Sequence, residues 1–256
     1  MVLAILQARF SSTRLPGKVL KPILGKPMLL LQIERIKRST QIDRLILATS
    51  TDPADDAIER LCRENDVACF RGNLNDVLDR FYQAAQPIRP DHVVRLTGDC
   101  PLIDHRLIDQ VISFHLQGSY DYTSNTLDPS FPDGLDIEIV RFPCLEQAWR
   151  EATLPSQREH VMPFIHQQPD RFKLGSFKGE LDLSLQRWTV DEPEDFALVT
   201  KIYEALYPQK QDFSTDDILI FLRQNPAVSE LNARFVRNEG YQKSLIEDRR
   251  ILGTKG

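Results

Sequence analysis

Short apolar, β-prone runs alternate with longer stretches of helical spacing from the first residues onward, and that alternation is best satisfied by an α/β sheet. Residues 2–6 (VLAIL), 44–49 (RLILAT), 68–70 and 92–96 (HVVRL) read as strands, the last of the buried parallel kind. Between them, 28–38 places Leu29, Leu30, Ile33 and Ile36 on one helical face, and 75–85 does the same with Val77, Leu78, Phe81 and Tyr82. Asp52-Pro53 offers an N-cap and a first-turn proline to a helix through Ile58, Leu61 and Cys62. Further helices are expected around 107–112, 144–152, 159–168 with a kink at Pro163, and 194–206, with β-prone runs at 120–124 and 135–140. The predicted fold is α/β, a mostly parallel sheet with helices on both faces in a Rossmann-like arrangement.

From Pro208 onward the pattern turns charged, with weak helical runs such as 218–222 and no strong strand. The expected organisation is therefore one domain over 1–207 and a mainly helical appendage over 208–256. That appendage could pack on the main domain, join a partner subunit or fray.

The chain of 256 residues carries Lys+Arg 32 against Asp+Glu 37, a net charge of -5, so no basic field draws it to nucleic acid. Its longest apolar run, Met28-Leu29-Leu30-Leu31, is too short for membrane insertion, and neither a signal peptide nor a transmembrane helix is expected. Cys62, Cys69, Cys100 and Cys144 show no CxxC spacing and no paired framework. A reducing cytoplasm is the expected location.

Three segments carry chemistry. The first βα connection, Gln7 to Lys18 (QARFSSTRLPGK), combines Arg9, Arg14 and Lys18 with Ser11, Ser12 and Thr13. Guanidinium forks, a point charge, hydroxyls and free backbone N–H groups suit a polyphosphate, although neither GxxxxGK[ST] nor GxGxxG is present. A solvated surface loop is the plain alternative. The second, RLTGDCPLI, sets Asp99 just past a buried strand, where a carboxylate either holds Mg²⁺ against a phosphate or merely stabilises a Gly-Asp turn. The third, WTVDEPED, offers Asp191 as a second metal ligand, or as the start of a capping box with Glu194. Together, a cationic loop and two strand-end carboxylates are what metal-assisted nucleotidyl transfer requires.

The stretch LQARFSSTRLPGKVLKPILGKPML resembles the N-terminal signature of the sugar cytidylyltransferases, which serve keto-deoxy sugar acids and acylneuraminates. To about Tyr207 the chain is more closely similar to the spore-coat polysaccharide biosynthesis protein F family, through ATSTDPADDAIE, FRGNLNDVLDRFYQAA, VVRLTGDCPLID, YTSNTLDPSFPDGLDIEIV, LPSQREHVMPFI and TVDEPEDF; the tail RNEGYQKSL matches in character. The resemblance implies a nucleotide-diphospho-sugar transferase fold, GT-A-like, and transfer of CMP from CTP to a sugar or sugar acid for surface polysaccharide, with release of pyrophosphate. It implies that Arg9, Arg14 and Lys18 bind phosphates, that Asp99 and Asp191 hold Mg²⁺, and that Asp79 and Arg80 help enclose the base. Gln7, Ala8 and Thr97 fall at the base and ribose; Gln7 stands where the better-studied synthetases have proline, and Thr97 where they often have glutamine. Arg14, Lys18 and Asp99 would carry the catalytic load.

Asp133, Asp136 and Glu138 sit in the PDGLDIE segment, the last two on one face of a strand by the period of two, and are candidates for the acceptor alongside Arg158 and His160. Solvent-facing strand residues are their plain alternative. Cys100 reads as packing rather than nucleophile, Trp149 and Trp188 as core. The partners expected are CTP and a sugar or sugar acid, with a homodimer left open. A glycosyltransferase using a nucleotide-sugar, or a catalytically silent nucleotide-binding subunit, are the competing readings.

Overall fold

The structure is a computed structural model that describes residues 1–235, 237 and 239–253. Its strands are β1 (Val2–Gln7), the small ribbon β2 (Pro22–Ile23) and β3 (Lys26–Pro27), β4 (Arg44–Ser50), β5 (Ala68–Gly72), β6 (His92–Thr97), β7 (Tyr122–Ser124), β8 (Glu138–Arg141) and β9 (Leu174–Ser176). The helices are α1 (Met28–Ile36), α2 (Asp56–Glu64), α3 (Val77–Ala85), α4 (His105–Gly118), α5 (Phe142–Glu151), α6 (Pro155–His160), α7 (Pro163–His166), α8 (Pro193–Leu206), α9 (Thr215–Gln224), α10 (Pro226–Ser229) and α11 (Glu239–Gly253).

The main sheet runs β5-β4-β1-β6-β8-β7-β9. Strands β5, β4, β1 and β6 are parallel, β8 runs antiparallel to β6 and β7, and β9 returns parallel to β7. The mostly parallel α/β expectation is borne out. Strand β1 shows why helices must cover both faces: Leu3 and Ile5 enter one core with Leu78, Phe81, Leu145 and Ile165, while Ala4 and Leu6 enter another with Leu29, Ile33, Ile108 and Leu198. Two-residue alternation thus feeds two apolar layers, and each fully buried Leu or Ile contributes about 1.5–3 kcal/mol of transfer free energy.

Chain order fixes where a ligand can bind. From β1 the chain crosses to β4 on one side, and from β5 it returns through α3 to β6 on the other. Connections that part in this way open a crevice at the carboxyl ends of the strands. At its base the Gly98 amide donates to the Gln7 carbonyl at 2.8 Å, and a Cβ on Gly98 would stand 2.9 Å from that of Ala8. Only glycine lets the two strand ends close so tightly.

Several boundaries differ from the sequence reading. The helix expected over 159–168 is two short helices, α6 and α7, parted by Val161 in the left-handed region at φ 70°. The run 135–140 pairs in the sheet only from Glu138, because the Asn125 side chain instead binds the Leu135 carbonyl (2.7 Å) and the Ile137 amide (2.9 Å). Residues 188–190 form no strand of the sheet; the Trp188 and Thr189 amides donate to the Asp133 carbonyl and the Val190 amide to that of Asp99. Among the described residues no helix is long and apolar enough to cross a membrane.

Candidate active site

A cavity of about 580 Å³ opens at the carboxyl ends of β1 and β6. The first loop forms one wall. The Phe10 carbonyl accepts from the amides of Ser12 and Gly17, both at 3.0 Å, and Leu15 and Val19 are buried beneath. That leaves Arg9, Ser11, Ser12, Thr13, Arg14 and Lys18 lining the cavity with Gln7 and Ala8.

Lys18 is the hub of this wall. The residue is only 7% exposed, and its ammonium donates to the Val190 carbonyl (2.7 Å), Asp191 Oδ1 (2.8 Å) and, more distantly, Asp99 Oδ2 (3.4 Å). Burying an unpaired ammonium costs several kcal/mol, so these acceptors fix where it can stand. Burial pulls the Lys18 pKa down, but Asp99 and Asp191 more than restore it and leave it above the ordinary value. Burial likewise pushes the Asp99 carboxyl up, while the Lys18 charge and hydrogen bonding hold it below the usual carboxylate range. The pair is therefore ionised on both sides at neutral pH.

Asp191 is free for this role because its expected capping duty falls elsewhere. Asp195 Oδ2 accepts the amides of both Asp191 and Glu192 at 2.9 Å, one residue on from the Asp191–Glu194 box read from the sequence. Asp191 Oδ2 instead meets Arg14 at 3.0 Å and Arg187 at 3.4 Å. A glycine makes the approach possible: Gly134 has φ 107°, and a Cβ there would lie 2.4 Å from the Thr189 amide nitrogen.

Deeper in the same wall lies a cation short of countercharge. Arg80 is 1% exposed, its Nη1 donates to the Asn73 carbonyl at 2.6 Å, and its Nε has no partner among the described residues. Burial and the nearby charge of Arg9 pull its pKa down to about 10. Asp55 and Asp76 offset this only in part, so the two neighbouring guanidiniums leave positive charge available to an anion. Asp79 does not join it: its Oδ1 accepts from Trp149 Nε1 at 2.8 Å on the side of α3 turned to α5. Consecutive helical residues point about 100° apart, and here Arg80 faces the cavity while Asp79 faces α5.

The other end of the cavity is acidic and aromatic. Tyr122 donates to Glu138 Oε1 at 2.6 Å, Arg95 pairs with the other oxygen of Glu138, and Arg95 Nε reaches Gln7 Oε1 at 3.2 Å. Arg187 binds Asp133 (3.2 Å) and Asp195 (2.9 Å), and Arg237 binds Asp136 (2.6 Å). Burial raises the Asp133 carboxyl; burial, only partly offset by Arg237 and reinforced by Asp133 and Glu138, pushes Asp136 up to about 7. His160 lines this end, its Nε2 3.0 Å from Ser244 Oγ, and burial lowers its pKa. Arg158 does not line it; Arg158 Nε donates to Asp76 Oδ2 (3.0 Å) and Nη1 to the Trp149 carbonyl (2.8 Å), tying α6 to α3 and α5.

Thr97 closes the floor, its Oγ1 3.2 Å from Cys100 Sγ, and burial raises the Cys100 thiol well above its ordinary value. A thiol kept protonated is packing and not a nucleophile. Sequence reasoning missed Arg95, Tyr122, His166, Arg187 and Tyr241, all of which line the cavity. Arg95 alone carried a signal: a cation in the middle of HVVRLT, a strand otherwise buried, must have a partner.

The profile of the cytidylyltransferase family matches residues 3–242. An uncharacterised protein of Methanocaldococcus jannaschii is 36% identical over 246 residues, covering 94% of this chain and 98% of its own. The spore coat polysaccharide biosynthesis protein SpsF of Bacillus subtilis is 32% identical over 232 residues, covering 88% and 95%. Among solved structures, a cytidylyltransferase from Leptospira borgpetersenii superposes with a TM-score of 0.85 at 32% identity, over 93% of this chain and 99% of its own. Fold, strand-end site and likeness agree: this chain is a nucleotidyltransferase and belongs to the cytidylyltransferase family.

Proposed function

We propose that the enzyme transfers CMP from CTP to a hydroxyl of a sugar or sugar acid destined for a surface polysaccharide, releasing pyrophosphate. The observation that supports this most is Lys18, held between Asp99 and Asp191 beside the under-neutralised Arg9 and Arg80. A triphosphate supplies the charge these cations lack. Arg9 and Arg80 bind phosphate oxygens, while Ser11, Ser12, Thr13 and the loop amides add neutral donors. Gln7, Ala8 and Thr97 flank the nucleoside. Asp133, Asp136, Glu138 and His160 face the acceptor; Asp79 and Arg158 are left with packing roles.

Among the described residues no group of three or more His, Cys, Asp or Glu is placed to hold a metal ion. Asp99 and Asp191 both stand at the Lys18 ammonium on the cavity wall, and Mg²⁺ is typically held by one or two carboxylates together with substrate phosphates. Asp99 and Asp191 would hold it, and when bound it supplies charge neutralisation at the α-phosphate. The chain's own contribution is positioning and fixed charge: Lys18 and Arg14 stabilise the charge that grows on departing pyrophosphate, and their carboxylate partners keep both in place beforehand. Arg95 and Tyr122 orient Glu138 toward the acceptor hydroxyls.

The test is pyrophosphate release with CTP, ATP, GTP and UTP, each with Mg²⁺ and a panel of neutral, amino and acidic sugars. CTP-dependent release with one sugar class is the expected result. Consumption of a nucleotide-sugar without pyrophosphate would instead indicate a glycosyltransferase.

A further inference from the structure

The tail motif RNEGYQKSL, residues 237–245, has no part in the nucleotide chemistry above. Yet the structure carries its Tyr241 to the cavity. Tyr241 lines the acidic end, with its ring set edge-on to His160 at 5.1 Å between centroids and to His166 at 6.5 Å; His166 faces Tyr122 at 6.1 Å. Four rings from β7, α6, α7 and α11 thus make one continuous wall.

The tail is tied to that position from several directions. Ser244 Oγ donates to Glu159 Oε2 at 2.9 Å and pairs with His160; Asp248 Oδ1 accepts the Ser156 amide at 3.0 Å. Arg237 donates to Asp136 and to the Phe131 carbonyl, and Gln167 Nε2 donates to the Tyr241 hydroxyl at 3.0 Å, which fixes the tilt of the ring. Aromatic faces and the carboxylates of Asp136 and Glu138 in one cavity complement what a pyranose presents: apolar C–H surface for the rings and hydroxyl donors for the carboxylates to accept.

We propose that the C-terminal helix completes the acceptor half of the site, with Tyr241 as a specificity-determining residue against which the sugar ring packs. The proposal rests on the nucleotidyltransferase reading and assigns the tail to its second substrate, not to its first.

The experiment is saturation-transfer NMR on the full chain with CTP and no added divalent ion, so that no turnover occurs. The probes are N-acetylneuraminate, 3-deoxy-manno-octulosonate, glucosamine and mannose. In the unsubstituted protein at least one of these should bind. Tyr241→Phe, which keeps the ring face, should bind it alike, and Tyr241→Leu, which keeps bulk without the face, should bind it about tenfold more weakly. CTP affinity should move less than about twofold in both, since Tyr241 contacts His160, His166 and Gln167, none of which is a phosphate-binding cation. A sugar bound equally well by Tyr241→Leu overturns the proposal, as does a CTP-saturated protein that binds none of the four. Failure of the unsubstituted protein to bind CTP at all is a different result, and it removes the nucleotidyltransferase reading itself.

Discussion

The two ends of the cavity are built on opposite plans. The phosphate end comes from one contiguous loop, residues 7–18, closed by two carboxylates that each stand just past an extended segment. The acceptor end is gathered from β7, β8, α6, α7 and α11, spread from Tyr122 to Tyr241. At the first end Arg80 is buried without an ion-pair partner among the described residues; at the second, Arg95, Arg187 and Arg237 are all already paired. On the proposed function, a polyphosphate would be recognised by charge left only partly compensated, and the acceptor by shape and by hydrogen-bond acceptors.

That contrast can be broken most forcefully at Asp99. Asp99→Asn keeps the volume but removes the charge shared with Lys18, and turnover should fall by about 10²–10³, the usual effect of deleting one preorganised electrostatic group. Circular dichroism and melting should show the fold retained; near-normal turnover would exclude Asp99 from the chemistry.

Arg80 gives the next largest effect, with opposite signs in two assays. Arg80→Met should weaken CTP binding by about tenfold, and it should also raise the melting temperature of the nucleotide-free protein, because an isosteric apolar chain replaces a buried, under-paired cation. A substitution that lowers both would mean that Arg80 is structural.

Asp136 sharpens the comparison through pH. Its carboxyl is raised from the usual range near 3.8 to about 7 in the folded chain, so between those values the native state holds a proton that the unfolded state has lost. Its contribution to stability is full below the lower value and is lost as pH rises through about 7. Asp136→Asn, followed by melting at pH 5 and pH 8, should therefore stabilise the protein more at the higher pH; a pH-independent difference contradicts the placement.

The smallest effect tests a negative. Asp79→Ala removes the acceptor of Trp149 Nε1 and should cost about 1 kcal/mol of stability while leaving turnover and the KM for CTP unchanged. A raised KM would return Asp79 to the nucleotide.

The same contrast explains what could be read from the sequence. Strands β1, β4 and β6 were legible because a buried parallel strand is a near-continuous apolar run, and the phosphate loop because its residues are adjacent in the chain. Asp99 was legible from its place after β6. Strand β9 was not, since Leu-Gly-Ser has no periodicity and exists only by pairing with β7. Tyr122, His166 and Tyr241 are unremarkable aromatic or polar residues in separate segments, and only tertiary packing makes them one wall. That Asp79 turns toward Trp149 and not into the cavity depends on helical rotation that an adjacent Asp-Arg pair in sequence does not reveal.

The central claim is that the loop of residues 7–18, with Arg80, Asp99 and Asp191, is a preformed CTP site. Calorimetric titration of the purified protein with CTP, ATP, GTP and UTP, each with and without Mg²⁺, tests it most directly. Binding selective for CTP and strengthened by Mg²⁺ is the expected result. Equal binding of all four nucleotides, or CTP binding indifferent to Mg²⁺, would contradict it.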